Sequence, residues 1–288
     1  MFENSTEFRS VQHVERNYDD FKREPLLPNR HSQLGPGIAW GDVDGDGDQD
    51  FWMGQAAVTA GQLLINNGRG SFSDSRQKIF ARDAECEDMG AALVDVDNDG
   101  WLDIVAVNGH VNRDVGGVRR DGDPFPLGQR NQLLRNVGGR FEDATDRAGS
   151  GFDPVEASRG AAFGDVDNDG DTDVLVANGA GPVRLLLNNI GNRQHWLGLR
   201  LLGAHGRDMV GARVSISRGT APVLWRRARA DGSYGSANDP RVLVGLESFT
   251  DAPRVRVIWP GGQAEEWTGV AIDRYTTLQE GSGSTVRP

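Results

Sequence analysis

The stretch GAALVDVDNDGWLDIVAVNG, residues 90–109, decides the reading, because the chain carries it in three copies. GAAFGDVDNDGDTDVLVANG, residues 160–179, matches it at twelve of 20 positions. GIAWGDVDGDGDQDFWMGQA, beginning at Gly37, is the third copy. Their first aspartates are Asp42, Asp95 and Asp165, so the periods are 53 and 70 residues. Self-similarity at this spacing marks one supersecondary unit repeated along the chain. In each copy an apolar run follows the last aspartate, at residues 51–53, 104–107 and 174–177. A second run ends in Asn: LLINN from Leu63, LLRN from Leu133 and LLLNN from Leu185. Short apolar runs between Gly and Asn turns read as antiparallel strands, and no long 3.6-residue stripe predicts helix.

A period near 50 residues with about four short strands predicts propeller blades. The longer second period reflects an insertion at about residues 109–130, read as a surface loop. The expected fold is therefore all-β. A partial β-propeller of about three blades occupies residues 37–192, after an N-terminal segment 1–36 that could be the remnant of an earlier blade. From residue 193 the repeat stops. HWLGLRLLG, from His195, and RVRVIW, from Arg254, alternate in strand fashion, so residues 193–281 read as a small β-rich domain. Residues 282–288 read as a disordered tail. An open stack of blades leaves sheet edges through which chains can associate.

Each repeat holds the pattern D-x-D-x-D-G-x-x-D. Calcium is a hard cation that takes six to eight oxygen ligands. Positions 1, 3 and 5 of a tight loop can point inward together, and the glycine permits the bend. Position 7 offers a backbone carbonyl and position 9 a closing carboxylate. The candidate ligands are Asp42, Asp44, Asp46, Asp48 and Asp50; Asp95, Asp97, Asp99, Trp101 and Asp103; and Asp165, Asp167, Asp169, Asp171 and Asp173. About three Ca²⁺ ions are expected, with Mg²⁺ the weaker alternative because it keeps more water. The competing reading is three solvated Asp-Gly turns.

The charge agrees with the metal reading. The formal net charge is −11, and setting aside the twelve motif aspartates leaves about +1. The acidity is concentrated in these loops, where unscreened carboxylates repel one another. A net negative chain is a poor fit to nucleic acid or to anionic membranes. The opening residues contain no apolar run, so neither a signal peptide nor a membrane span is read there. The single cysteine, Cys86, lies among Glu85, Glu87 and Asp88, where neighbouring carboxylates disfavour a thiolate.

The repeat GDVDNDGDTDVLVANG resembles the FG-GAP or VCBS-type repeat of calcium-binding, integrin-like propellers. The stretches HWLGLRLLG from His195, VGARVSI from Val210, GSYGSANDPRVLVGL from Gly232 and VRVIWPGG from Val255 resemble the ASPIC/UnbV domain. Together they are similar to the cartilage acidic protein-type family. Val244 and Glu247 depart from its pattern, where Phe and Gly are common. That resemblance implies a longer, secreted protein, so an extracellular or periplasmic site and an N-terminally truncated chain are expected. It implies a calcium-binding, non-enzymatic binding or adhesion module with a protein or carbohydrate ligand. The alternative is an enzyme of lyase or cyclase type on a propeller scaffold, and a third reading is a remnant of a split gene. His110, in VNGHVN at the mouth of the insertion, reads as a solvated loop residue or a site residue. Trp40, Trp52 and Trp101 beside the loops read as core or as sugar-stacking faces. Arg226, Arg227 and Arg229 read as a solvated strand face or an anion site.

Overall fold

The computed structural model describes residues 11–15, 19–23, 25–30, 36–82, 84–111, 114–115, 118–119, 127–179, 181–232 and 235–287. The first repeat forms one sheet of β1 (Ile38–Gly41), β2 (Asp50–Met53), β3 (Gln62–Asn66) and β4 (Phe72–Asp74), paired in chain order. The second forms β5 (Asp88–Val94) and β6 (Asp103–Asn108). It continues, beyond the small pair β7 (Asp114–Val115) and β8 (Val118–Arg119), with β9 (Gln132–Val137) and β10 (Arg140–Asp143). The third forms β11 (Ser158–Gly164), β12 (Asp173–Asn178) and β13 (Arg184–Leu186). Among the described residues, helix is confined to the short segments α1 (Asp20–Arg23) and α2 (Ile79–Arg82) and three single 3-10 turns.

The near-continuous apolar runs of the second repeat follow from burial on both faces. Alternate residues Ala91, Ile104, Ala106 and Leu134 pack with Ala39, Trp52 and Leu63 of the first sheet. Their neighbours Ala92, Val105, Val107 and Leu133 pack with Ala161, Phe163, Val174 and Val176 of the third. Each sheet thus stacks face to face on the next, the arrangement of propeller blades.

The C-terminal segment adds two sheets. One is β17 (Val242–Glu247), β14 (His195–Leu202) and β20 (Tyr275–Gln279), with β14 and β20 parallel. The other runs β16 (Leu224–Arg227), β15 (Arg213–Ser217), β18 (Arg254–Ile258), β19 (Ala264–Trp267) and β21 (Ser284–Val286). A shared core of Leu197, Leu199, Val214, Ile216, Val244, Leu246, Val255, Val257 and Trp259 joins them. Among the described residues the propeller-like, all-β architecture therefore contains five sheets of three or more strands where the sequence predicts about three blades. The count from sequence follows the aspartate motif, and the last two sheets lack it.

One expectation needs correction. Residues 284–286 are not a disordered tail, because β21 pairs with β19 in the register Ala264↔Val286 and Glu266↔Ser284. The edge of β19 offers backbone groups that a short polar tail can satisfy. The segment 1–36 shows no strand among the described residues. Val11 packs against the Phe51, Met53 and Leu64 cluster, and Val14 N–H donates to Gln55 Oε1 at 2.9 Å. Residues 112–113, 116–117 and 120–126 of the insertion lie outside the described residues. No helix of the described residues is long and apolar enough to cross a membrane.

Candidate functional site

Each aspartate motif is the hairpin connection between the first and second strands of its sheet. The residue before the loop pairs with the position-9 aspartate: Gly41↔Asp50, Val94↔Asp103 and Gly164↔Asp173. One internal bonding pattern recurs. The position-1 carboxylate accepts the N–H of the position-6 glycine at 3.0 Å in all three loops, Gly47 to Asp42, Gly100 to Asp95 and Gly170 to Asp165. Position 9 accepts the N–H of position 2, Val43, Val96 or Val166, at 2.9, 3.0 and 2.9 Å. Its other oxygen accepts the N–H of the Asn that ends the second apolar run, Asn66, Asn136 or Asn188, at 2.8, 2.7 and 2.9 Å. The position-6 glycines have φ of 92°, 94° and 97°, a region closed to most side chains.

This geometry gathers carboxylates. Ligand atoms of Asp42, Asp44 and Asp50 lie within 4.8 Å of one another, as do those of Asp165, Asp167 and Asp173. In the second loop the gathered set is Asp95, Asp97 and Asp99. Asp46, Asp48, Asp103, Asp169 and Asp171 fall outside these sets. Asp46 and Asp169 instead accept the N–H groups of Asp48 and Asp171 at 2.8 and 3.3 Å. Asp103 lies outside its set although its two oxygens accept from Val96 and Asn136 just as those of Asp50 and Asp173 accept from their equivalents. Trp101 N–H donates to Asp99 Oδ1 at 2.9 Å.

Burial is severe for acidic groups. Asp50 and Asp103 are fully buried, and Asp42, Asp95, Asp165 and Asp173 nearly so. Burial pushes the Asp42 carboxyl up to about 6 and those of Asp50 and Asp95 up to about 7, with further repulsion from loop neighbours. Burial likewise raises Asp171 to about 7 and Asp103 well above the usual carboxylate range. Asp95 Oδ1, Asp97 Oδ1 and Asp171 Oδ1 are hidden from water and receive no hydrogen bond. Carboxylates gathered in threes, two of them in the second loop with buried oxygens that receive no donor, fit a hard divalent cation.

Several contributors escape sequence reading. The run-ending asparagines are visible as a triple recurrence, but their task is not. Asn136 Nδ2 donates to Val43 O of the preceding repeat's loop at 2.8 Å, and Asn188 Nδ2 to Val96 O at 2.7 Å. Position 4, filled by Gly45, Asn98 and Asn168, is left-handed in every loop, with φ of 79°, 56° and 61°. Arg135 pairs with Asp97 at 2.5 Å and Asp99 at 2.9 Å.

Arg226 is not on a solvated strand face. Its buried guanidinium donates to Gly100 O at 2.8 Å and lies 3.7 Å from Asp95 Oδ2. Arg229 binds Asp231 and donates to Trp40 O, while Arg227 stays exposed. His110 is not a solvated loop residue either: it is 1% exposed, with Glu87 Oε2 at 3.5 Å. Trp52 is core, whereas Trp40 remains 38% exposed against Phe51 and Phe72.

A family model described as FG-GAP-like repeat matches residues 42–106, and one described as ASPIC and UnbV matches residues 203–285. Integrin alpha-V of Gallus gallus is 32% identical over 151 residues, which is 51% of this chain and 14% of that protein. The chain therefore spans a small part of that relative's length. A solved Agrocybe aegerita lectin, described by its recognition of non-reducing terminal N-acetylglucosamine, overlaps 88% of this chain and 79% of its own. Identity there is 16% and the TM-score 0.23, too low to bear on this fold. By these matched segments the chain belongs with proteins in which FG-GAP-like repeats are followed by an ASPIC and UnbV domain.

Proposed function

We propose that the three loops bind calcium, about one ion each, and that the chain serves as a non-enzymatic binding or adhesion module outside the cytoplasm. The observation that carries this is the gathering of three carboxylates in each of three equivalent hairpins, with ligand atoms within 4.8 Å. The proposed ligands are the gathered carboxylates of each loop, Asp42, Asp44 and Asp50, Asp95, Asp97 and Asp99, and Asp165, Asp167 and Asp173, joined by Asp46, Asp103 and Asp169, which lie outside those sets. The carbonyls of Asp48, Trp101 and Asp171 complete them. The likeness to an integrin alpha chain supports the adhesion-type role and the extracellular or periplasmic setting.

The partner is a protein or a carbohydrate. An apolar outer face of the third repeat suits a protein, since Leu175, Val183, Leu185 and Leu187 are exposed there. In the cleft between the inner strands and the C-terminal domain, Tyr275 donates its hydroxyl to Asp165. Burial pushes its pKa up, so the hydroxyl stays protonated and donates to the loop.

Titration calorimetry on EGTA-stripped protein is expected to show uptake of about three calcium ions. Thermal melts should show a rise of several degrees with saturating calcium, because ligands that bind only the folded state stabilise it. No heat and no shift at millimolar calcium would overturn the reading.

A further inference from the structure

All three aspartate loops are touched by the C-terminal domain, and each at its position-6 glycine. Trp225 lies so close to Gly47 that an added Cβ would come within 2.9 Å of its indole. Leu224 covers Gly100, where a Cβ would come within 3.3 Å. Trp196 covers Gly170, where a Cβ would come within 2.0 Å of its ring. Gly47 and Gly170 are thus needed for close approach to a tryptophan ring as well as for their left-handed turn.

Hydrogen bonds accompany each contact. Arg213 donates to Gly47 O at 3.1 Å, Arg226 to Gly100 O at 2.8 Å and Arg241 to Asp165 O at 2.7 Å. Two position-1 carboxylates also receive donors from across the boundary. Gly245 N–H reaches Asp95 Oδ2 at 3.1 Å and Tyr275 O–H reaches Asp165 Oδ2 at 2.8 Å. Glu247 N–H donates to Asn98 O at 3.0 Å, and Asp239 N–H to Phe163 O at 3.0 Å. Gly245 admits no side chain, because a Cβ there would come within 2.3 Å of the Asn98 backbone.

Ions and domain therefore act on the same short segments. A carboxylate-rich loop without a cation tends to spread under its own repulsion. The docked domain restrains that spreading by holding loop carbonyls and two position-1 carboxylates, and it leaves Asp95 Oδ1 without a donor. We infer that ion uptake by the three loops and docking of the C-terminal domain form one linked equilibrium: the domain holds the loops in their ion-accepting shape, and the ions hold the domain in place. Linkage requires each effect to match the other in size. The inference rests on the calcium reading above.

The test uses the full chain, with calcium alone as the probe. Amide exchange across residues 239–247, which carry three of the cross-boundary N–H donors, is followed with and without calcium, and uptake is measured by calorimetry. Calcium should slow that exchange about fivefold or more, and Gly245→Ala should weaken uptake by a similar factor. Tyr275→Phe, which removes one hydroxyl only, should weaken it in the same direction and serves if Gly245→Ala does not fold. If wild-type protein binds calcium while exchange at 239–247 is indifferent and both variants bind as tightly, the linkage is overturned and the metal reading stands. If wild-type protein takes up no calcium, both fall together.

Discussion

Arg135 makes the second loop electrostatically unlike the other two. Its guanidinium spans Asp97 and Asp99, and no guanidinium bridges the position-3 and position-5 carboxylates of the first and third loops among the described residues. A fixed positive charge beside a cation site opposes the ion, by about 1 kcal/mol for unit charges roughly 4 Å apart even at the dielectric of bulk water. Arg135→Gln is therefore expected to tighten calcium at the second loop by roughly fivefold, while lowering the melting temperature of the calcium-free chain. Unchanged calorimetric affinity would show that the ion displaces Arg135 at no cost. The buried aspartates also set a pH dependence. Asp42, Asp50 and Asp95 are raised to about 6, 7 and 7 from an ordinary value of 3.8. The folded, calcium-free chain thus holds protons that the unfolded chain has released between about pH 4 and pH 7. Their contribution is fully present below pH 4 and is lost as pH rises through 6 to 7. Melts in EGTA should accordingly show these groups lowering stability from pH 4 to 7. With calcium present, stability should rise over the same span, because protons and ions compete for the same oxygens. Parallel curves with and without calcium would contradict this.

At the scale of the element, the repeats are joined by asparagines as well as by apolar faces. Asn136 is fully buried and donates to the carbonyls of Val43 and Leu102 at 2.8 and 3.0 Å, while its Oδ1 accepts Gly139 N–H at 2.7 Å. Asn136→Ala leaves those groups without partners, which costs about 2–3 kcal/mol. Asn189→Ala removes only an exposed bond to Leu187 O and should stay within about 0.5 kcal/mol. Denaturant titrations that rank the two equally would refute the staple. The strands around these asparagines are legible in the sequence because apolar runs repeat in frame. Strand β21 is not, because Ser284, Thr285 and Val286 form no pattern and pair only where β19 presents an edge. Position 4 of the loops is Gly, Asn and Asn, residues that tolerate left-handed backbone, although the D-x-D-x-D-G-x-x-D pattern leaves that position unspecified.

For the whole molecule, the C-terminal domain takes over contacts that a following repeat supplies elsewhere. Asn136 and Asn188 reach back to the first and second loops, and at the third loop Arg241 and Tyr275 make the reach instead. A chain ending at Asn192 would lose these donors together with the cover of Trp196 and Trp225 on Gly170 and Gly47. It is expected to melt at least several degrees below the full chain and to bind calcium more weakly. A truncated chain with the full chain's melting temperature would show that the repeats stand alone.

What the sequence determined by itself is local: the three Asp-rich hairpins, the strands on either side and the concentration of negative charge, each set by residues within one repeat. Tertiary structure alone decided that Arg226 is buried beside Asp95, that His110 is enclosed, and that the domain after residue 193 rests on all three loops. The reason is distance along the chain. Arg226 and Gly100 are 126 residues apart, and Tyr275 and Asp165 are 110. Contacts of that span leave no periodicity to read, since their partners meet only when sheets stack and loops are brought under one surface.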